Sequence, residues 1–272
     1  MAKSAANRQS LACYNKFASR DLHLALGCVT SQDLFTLQPG SLQIVASDFD
    51  ARPMSAIDAD GQRIGYEPAL ARAVCQRLGL EPVWHNLPME DFYSCLETGQ
   101  YDVVWFNQAI TTERQQRADF TRPYGLFDEA VLVRQGSQVN SAQDLVGKRV
   151  GGLADSTNIA LVKDFPGAEA VPFPGSDRVL PEMLDALHNG QIDALIDDEL
   201  VLIVAAEDDP SLRLAFSLPT RVPFGIAVPK SRQSLLNALN QTLDELAADG
   251  TMAQLWAEWI PQKPFPFTAL GQ

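Results

Sequence analysis

Residues able to grip a small charged solute sit at the ends of regular elements in this sequence. Arg114 falls one turn into a helix that starts near Thr111. A guanidinium is planar and donates two parallel hydrogen bonds, which suits a carboxylate. Ser156-Thr157 opens another helix, and free N–H groups at a helix start stabilise an anion. Asp197, Asp198 and Glu199 follow the apolar strand Ala194-Leu195-Ile196. Open α/β sheets bind ligands beyond the C-terminal ends of their strands, so acids there mark a cleft edge and offer a counter-charge to an ammonium. Other strand ends point to the same cleft: Asp48-Phe49-Asp50 after the first strand and Asn107-Gln108-Ala109 after the third. Each has a plainer reading. Arg114 could be a surface arginine, Ser156 and Thr157 simple caps, and the acids a solvated turn.

The chain that must position these groups has 272 residues, 46% of them hydrophobic and 20% charged. That is ordinary for a globular protein of one large domain or two modest lobes. A formal net charge of -13 repels phosphate backbones and argues against a nucleic-acid partner. The cysteines Cys13, Cys28, Cys75 and Cys95 form no CxxC pair and the histidines are scattered, so no zinc site is expected. Buried free thiols are the expectation for Cys75 and Cys95, with a disulfide between them as the alternative. There is no G-x-S-x-G elbow, Rossmann glycine fingerprint or Walker loop, and no cofactor is expected. No run approaches the ~18 apolar residues of a membrane span. Residues 1–40 read as an irregular N-terminal extension. Asp21 and His23 spoil the short apolar run that ends at Cys28, so it makes a poor signal peptide.

From residue 41 strands and helices alternate. Leu42–Ala46 reads as a strand, and Asp58–Gly61 as a turn. Pro68 opens a helix with Leu70, Val74 and Leu78 on one face and Gly79 closing it. Strands at 82–84 and 103–106 flank a helix over 90–98. The order recurs: a capping box at Ser141 and Asp144, strands at 149–153, 170–173 and 194–196, and helices from Thr157 and over 180–188. Such β-α-β order predicts parallel sheets with right-handed crossovers. Leu96-Glu97-Thr98-Gly99-Gln100-Tyr101-Asp102-Val103-Val104 is echoed by Leu187-His188-Asn189-Gly190-Gln191-Ile192-Asp193-Ala194-Leu195, which favours two similar α/β units. A leucine stripe from Leu235 to Leu246 forms a helix ended by Gly250, and Thr251 with Gln254 reads as a capping box for the last one.

Residues 102–124, Asp-Val-Val-Trp-Phe-Asn-Gln-Ala-Ile-Thr-Thr-Glu-Arg-Gln-Gln-Arg-Ala-Asp-Phe-Thr-Arg-Pro-Tyr, resemble the amino-acid-binding proteins of ABC importers, solute-binding family 3. The likeness runs on through Leu145–Gly151, Asp155-Ser156-Thr157, Ile196–Glu199 and Phe224–Lys230 to Trp256–Trp259. It implies a two-lobed α/β type II periplasmic-binding fold, each lobe a mostly parallel sheet flanked by helices. Lobe 1 would be 41–128 plus 222–272 and lobe 2 129–221, hinged near 125–129 and 220–223. It also implies a non-enzyme working as a monomer in the periplasm with an ABC permease. Arg114 aligns with the family's carboxylate-binding arginine, Asp198 with its ammonium-binding aspartate, and Ser156 and Thr157 with a second carboxylate contact. Asp48, Ala51, Arg52, Met89, Asn107, Ala109 and Leu153 are the remaining expected ligand contacts. The sequence departs from the family at pocket positions. Ala51 and Met89 replace aromatics, which widens the pocket. Asn107 and Asp155 replace glycines, and Ala109 replaces Ser or Thr. A modified or bulkier amine-bearing solute is therefore an alternative to an ordinary amino acid. Further alternatives are a cyclohexadienyl-dehydratase-like enzyme, with Glu199 or Asp155 as general acid, and a ligand-sensing module.

Overall fold

The computed structural model describes residues 36–176 and 178–267. The signal-like run and Cys13 and Cys28 lie outside the described residues. Strand β1 (Ser41–Ala46) is buried along almost its whole length, as a central parallel strand must be. A small hairpin follows, β2 (Ala56–Ile57) and β3 (Arg63–Ile64). Its turn is fastened by the Asp58 carboxylate, which accepts from the Asp60 and Gln62 N–H groups. Helix α1 (Tyr66–Leu78) starts two residues before Pro68. The proline thus falls in the first turn, where no N–H is needed. Gly79 closes the helix at φ 67°. Then come β4 (Glu81–Asn86), α2 (Phe92–Glu97), β5 (Val103–Val104), α3 (Thr112–Arg117) and β6 (Asp119–Phe120).

The chain crosses to a second sheet along β7 (Gly125–Arg134). That sheet continues with β8 (Arg149–Leu153), α4 (Thr157–Ala160), β9 (Glu169–Phe173), α5 (Val179–His188), β10 (Ala194–Asp198) and α6 (Glu199–Asp208). It returns along β11 (Leu212–Phe224) to β12 (Ala227–Val228), α7 (Gln233–Ala248) and α8 (Thr251–Trp259). The first sheet has the order β4-β1-β5-β12-β6 and the second β11-β7-β10-β8-β9. Helices α1, α7 and α8 cover one face of the first sheet through Leu42, Leu70, Leu239 and Trp256, and α2 covers the other through Phe92 and Leu96. Helices α5 and α6 cover one face of the second sheet, and Val150, Val162 and Ile196 pack on its other face. This is the two-lobed α/β architecture that the alternating pattern predicts.

The internal echo has a physical basis. Gly99 and Gly190 take the same left-handed turn, at φ 68° and 70°. The Asp102 carboxylate then accepts from Gln43 N–H in β1, while Asp102 N–H donates to Gln43 O. Asp193 does the same with Arg149 in β8. In each sheet one aspartate fixes the register of a parallel strand pair.

Several expectations change. The crossings near 125–129 and 220–223 lie within long antiparallel strands, with Gly125 opposite Phe224 and Arg134 opposite Leu212. The last helix is capped by Gly250, at φ 85°, with no side-chain cap, so Thr251 forms no capping box. Ser141 instead donates its hydroxyl to Asp144 beside a short 3-10 turn over Ala142–Leu145. Helix α6 had no sequence counterpart. Cys75 and Cys95 are free and buried, and burial pushes their thiols up to about 12 and about 11. Among the described residues no helix is long and apolar enough to cross a membrane.

Candidate functional site

A cavity of about 100 Å³ lies between the two sheets, at the C-terminal ends of β5 and β10. Arg114 enters it from the first sheet's side. Thr111 caps α3 by accepting from Arg114 N–H at 3.2 Å, and the Arg114 guanidinium donates to Ala109 O at 3.2 Å. The loop carrying Asn107 and Ala109 is stiffened by Gln108. Its side chain donates to Phe106 O and accepts from the Tyr93 hydroxyl, both at 2.6 Å. The loop is also tied to the end of β11, where Ile110 N–H donates to Pro223 O. From the second sheet's side, Ser156 caps α4 by accepting from Ile159 N–H at 3.2 Å, and Thr157 stands at the cavity wall.

Asp198 faces Arg114 within the same cavity. It ends β10, in direct register with Glu129 of β7. Asn158 bridges two acids, donating to Asp197 at 2.8 Å and to Asp198 at 3.2 Å. Glu129 is 1% exposed and accepts the Thr220 hydroxyl. Burial first, then the charges of Asp197 and Glu129, hold the Asp198 carboxyl well above the usual range, against Asn158 and Arg114. Burial likewise lifts Asp197 to about 6. The site thus presents a guanidinium on one wall and crowded carboxyls on the other. It can take up an anion and a cation of one ligand at once.

Residues 44–262 match the model of the family described as bacterial extracellular solute-binding proteins, family 3. The chain belongs to this family. ABC transporter arginine-binding protein 1 of Escherichia coli (strain K12) is 29% identical over 216 residues, which is 77% of this chain and 87% of that protein. ABC transporter glutamine-binding protein GlnH of Bacillus subtilis (strain 168) is 28% identical over 244 residues, 89% of this chain and 82% of that protein. Among solved structures, an ancestral arginine-binding protein bound to glutamine superposes with a TM-score of 0.74 at 28% identity, covering 82% of this chain and 99% of that one.

The cavity gathers Arg114, Asp198, Ser156, Thr157, Asn107, Ala109, Met89 and Leu153. Three expected contacts fall outside it. Ala51 is fully buried in the core below α2, because its N–H donates to Ser55 O and turns the loop inward. Asp48 is exposed. Arg52 is drawn to Asp50 and, across the lobes, to Asp208, both at 3.0 Å. The replaced glycines explain themselves. Asn107 and Asp155 adopt left-handed φ values of 45° and 58°, the region that Asn and Asp tolerate best after glycine. Asp155 is exposed and does not line the cavity, so it does not repel a carboxylate there. Sequence reasoning missed Asn158, Glu129 and the walls Phe106, Phe127 and Val201. Only the register of β7 with β10 reveals Glu129, and no sequence signal marks Asn158.

Proposed function

We propose that this chain is the extracytoplasmic substrate-binding component of an ABC importer, clamping an amino acid or related amine-bearing solute between its lobes. Arg114 takes the ligand carboxylate, with Thr157 and the start of α4 beside it, and Asp198 takes the ammonium. The observation that carries this reading is that Arg114 and Asp198 come from different sheets and share one cavity, near enough for the guanidinium to ease the ionisation of Asp198. A zwitterion buried there meets a partner for each charge, without which burial is prohibitive. In this reading the lobes are 41–128 plus 222–272 and 129–221, and they open about β7 and β11. The protein acts as a monomer outside the cytoplasm and hands its ligand to a membrane permease. The relatives named above are binding proteins rather than enzymes. Neither carboxyl named for the dehydratase alternative lines the cavity: Glu199 is held by Lys263 and Ser217, and Asp155 is exposed.

Isothermal titration of the full chain with the proteinogenic amino acids tests this. At least one should bind, and Arg114→Ala should weaken it by about a hundredfold or more, as loss of one partner of a buried charge pair does. Unchanged affinity in Arg114→Ala would remove that residue from the site.

A further inference from the structure

We infer that the preferred ligand is an amino acid with an extended, uncharged apolar tail, whose head sits between Arg114 and Asp198 and whose tail fills a second cavity next door. This rests on the reading above and deepens it. The second cavity lies between loop 49–52 of the first lobe and helices α5 and α6 of the second, and holds about 200 Å³. The first holds about 100 Å³. A cavity of about 150 Å³ accommodates a benzene. The Arg114–Asp198 cavity is therefore a fit for a head group, and its neighbour is the roomier of the two for a chain attached to it.

The two cavities share a wall, since Phe49 and Val201 border both. Val201 lies on α6, which Asp198 caps. Val201 and Phe49 are therefore the side chains that a group reaching from one cavity to the other must pass. Beyond that wall the lining is Leu180, Leu184, Val204 and Ala205, an apolar floor with nothing to accept or donate a hydrogen bond. Charges occur at its rim, and they are already paired. Arg52 bonds Asp50 and Asp208, and Asp209 bonds His188. A charged group lying on this floor would be desolvated with no partner there, whereas an apolar tail needs none. The Arg52–Asp208 pair also joins the two lobes beside this cavity, so closure encloses the tail.

The test is calorimetry of the full chain with alanine, 2-aminooctanoate and arginine. Each buried methylene is worth up to about fourfold in affinity and 2-aminooctanoate has five more than alanine, so even partial burial should make it bind at least about tenfold tighter than alanine, and tighter than arginine. Leu184→Trp fills the second cavity without touching the first. It should abolish the gain of the long chain and leave alanine within about twofold. Val204→Phe serves as an independent block should Leu184→Trp melt early. Equal affinity for alanine and 2-aminooctanoate, a preference for arginine, or a long-chain gain that survives both blocks would overturn the inference alone. If none of the three probes nor any other amino acid binds, the reading of the cleft itself fails and this inference falls with it.

Discussion

Asp198 and Glu129 stand opposite each other on neighbouring strands, with Asp197 adjoining and Asn158 donating to both aspartates. Like charges brought together in a buried site raise each other's proton affinity and destabilise the ionised form. The carboxyl proposed to take the ligand ammonium is therefore a burden to the unliganded protein. Asp198→Asn should separate these effects. It keeps the shape of the side chain and removes the charge, so the ligand-free protein should melt a few degrees higher at pH 7.5. Affinity for an amine-bearing ligand should fall by about a hundredfold. Thermal melting and titration of the same sample read both. A variant that melts lower and binds as before would show that Asp198 is a structural residue.

The paired strands β7 and β11 carry the chain between lobes, and their packing is tight where they leave the first sheet. Phe224 stacks on Phe127 with ring centroids 4.0 Å apart and sits edge-on to Tyr124 at 4.8 Å. A Cβ added at Gly125 would lie 2.0 Å from the Phe224 ring. Gly125→Ala should accordingly cost about 2–3 kcal/mol, a fall in melting temperature of roughly 5–10 °C. A loss under about 1 °C would mean the ring has room to turn. These strands were the least legible part of the sequence. Pro219 and Pro223 speak against a strand, and the burial of β11 follows no clean alternation. Helix α6 was hidden for another reason. Its run Glu199-Leu200-Val201-Leu202-Ile203-Val204-Ala205-Ala206 is apolar nearly throughout and continues directly from a strand, so periodicity cannot separate the two. By contrast α1, α5 and α7 showed their apolar stripes plainly, and the ends of β5 and β10 pointed to Asn107 and Asp198 as cleft residues, while Arg114 was singled out only by its likeness to the family's motif. Asp48, Ala51 and Arg52 fall outside the Arg114–Asp198 cavity because of the course of loop 47–53. A hydrogen bond to Ser55 and a pull from distant Asp208 decide its course, and neither is visible in local sequence.

Several acids are buried among the described residues. Glu67 is fully buried. It accepts from Asn107 N–H at 2.8 Å and from the Tyr124 hydroxyl, its second oxygen has no partner, and burial raises it to about 7 despite these donors and nearby Arg63. Asp197 is raised to about 6, Asp198 well above the usual range, and Asp102 and Glu129 are also raised, each chiefly by burial. For every one of these groups the folded state binds protons that the unfolded state has already released. Between the ordinary carboxyl range near pH 4 and about pH 7, stability must therefore fall as pH rises. Glu67 alone accounts for about 3 kcal/mol across that window. The lowered acids, Asp249 at about 2 with Glu97, Asp144, Asp193 and Asp209, act in the opposite direction, but only below about pH 4. The net charge of -13 adds to the trend, because protonation relieves self-repulsion. The ligand-free protein should thus melt highest near pH 5 and progressively lower toward pH 8, and Glu67→Gln should flatten that slope. Ligand binding should show the reverse dependence, since an ammonium competes with the proton for Asp198. The rise in melting temperature on adding a bound amino acid should be larger at pH 7.5 than at pH 5. Melting curves with and without ligand at those two pH values decide the matter. A ligand-free protein that stabilises steadily from pH 5 to 7.5 would mean that the buried acids keep their ordinary proton affinities, and that the cleft carries no electrostatic load for a cation to relieve.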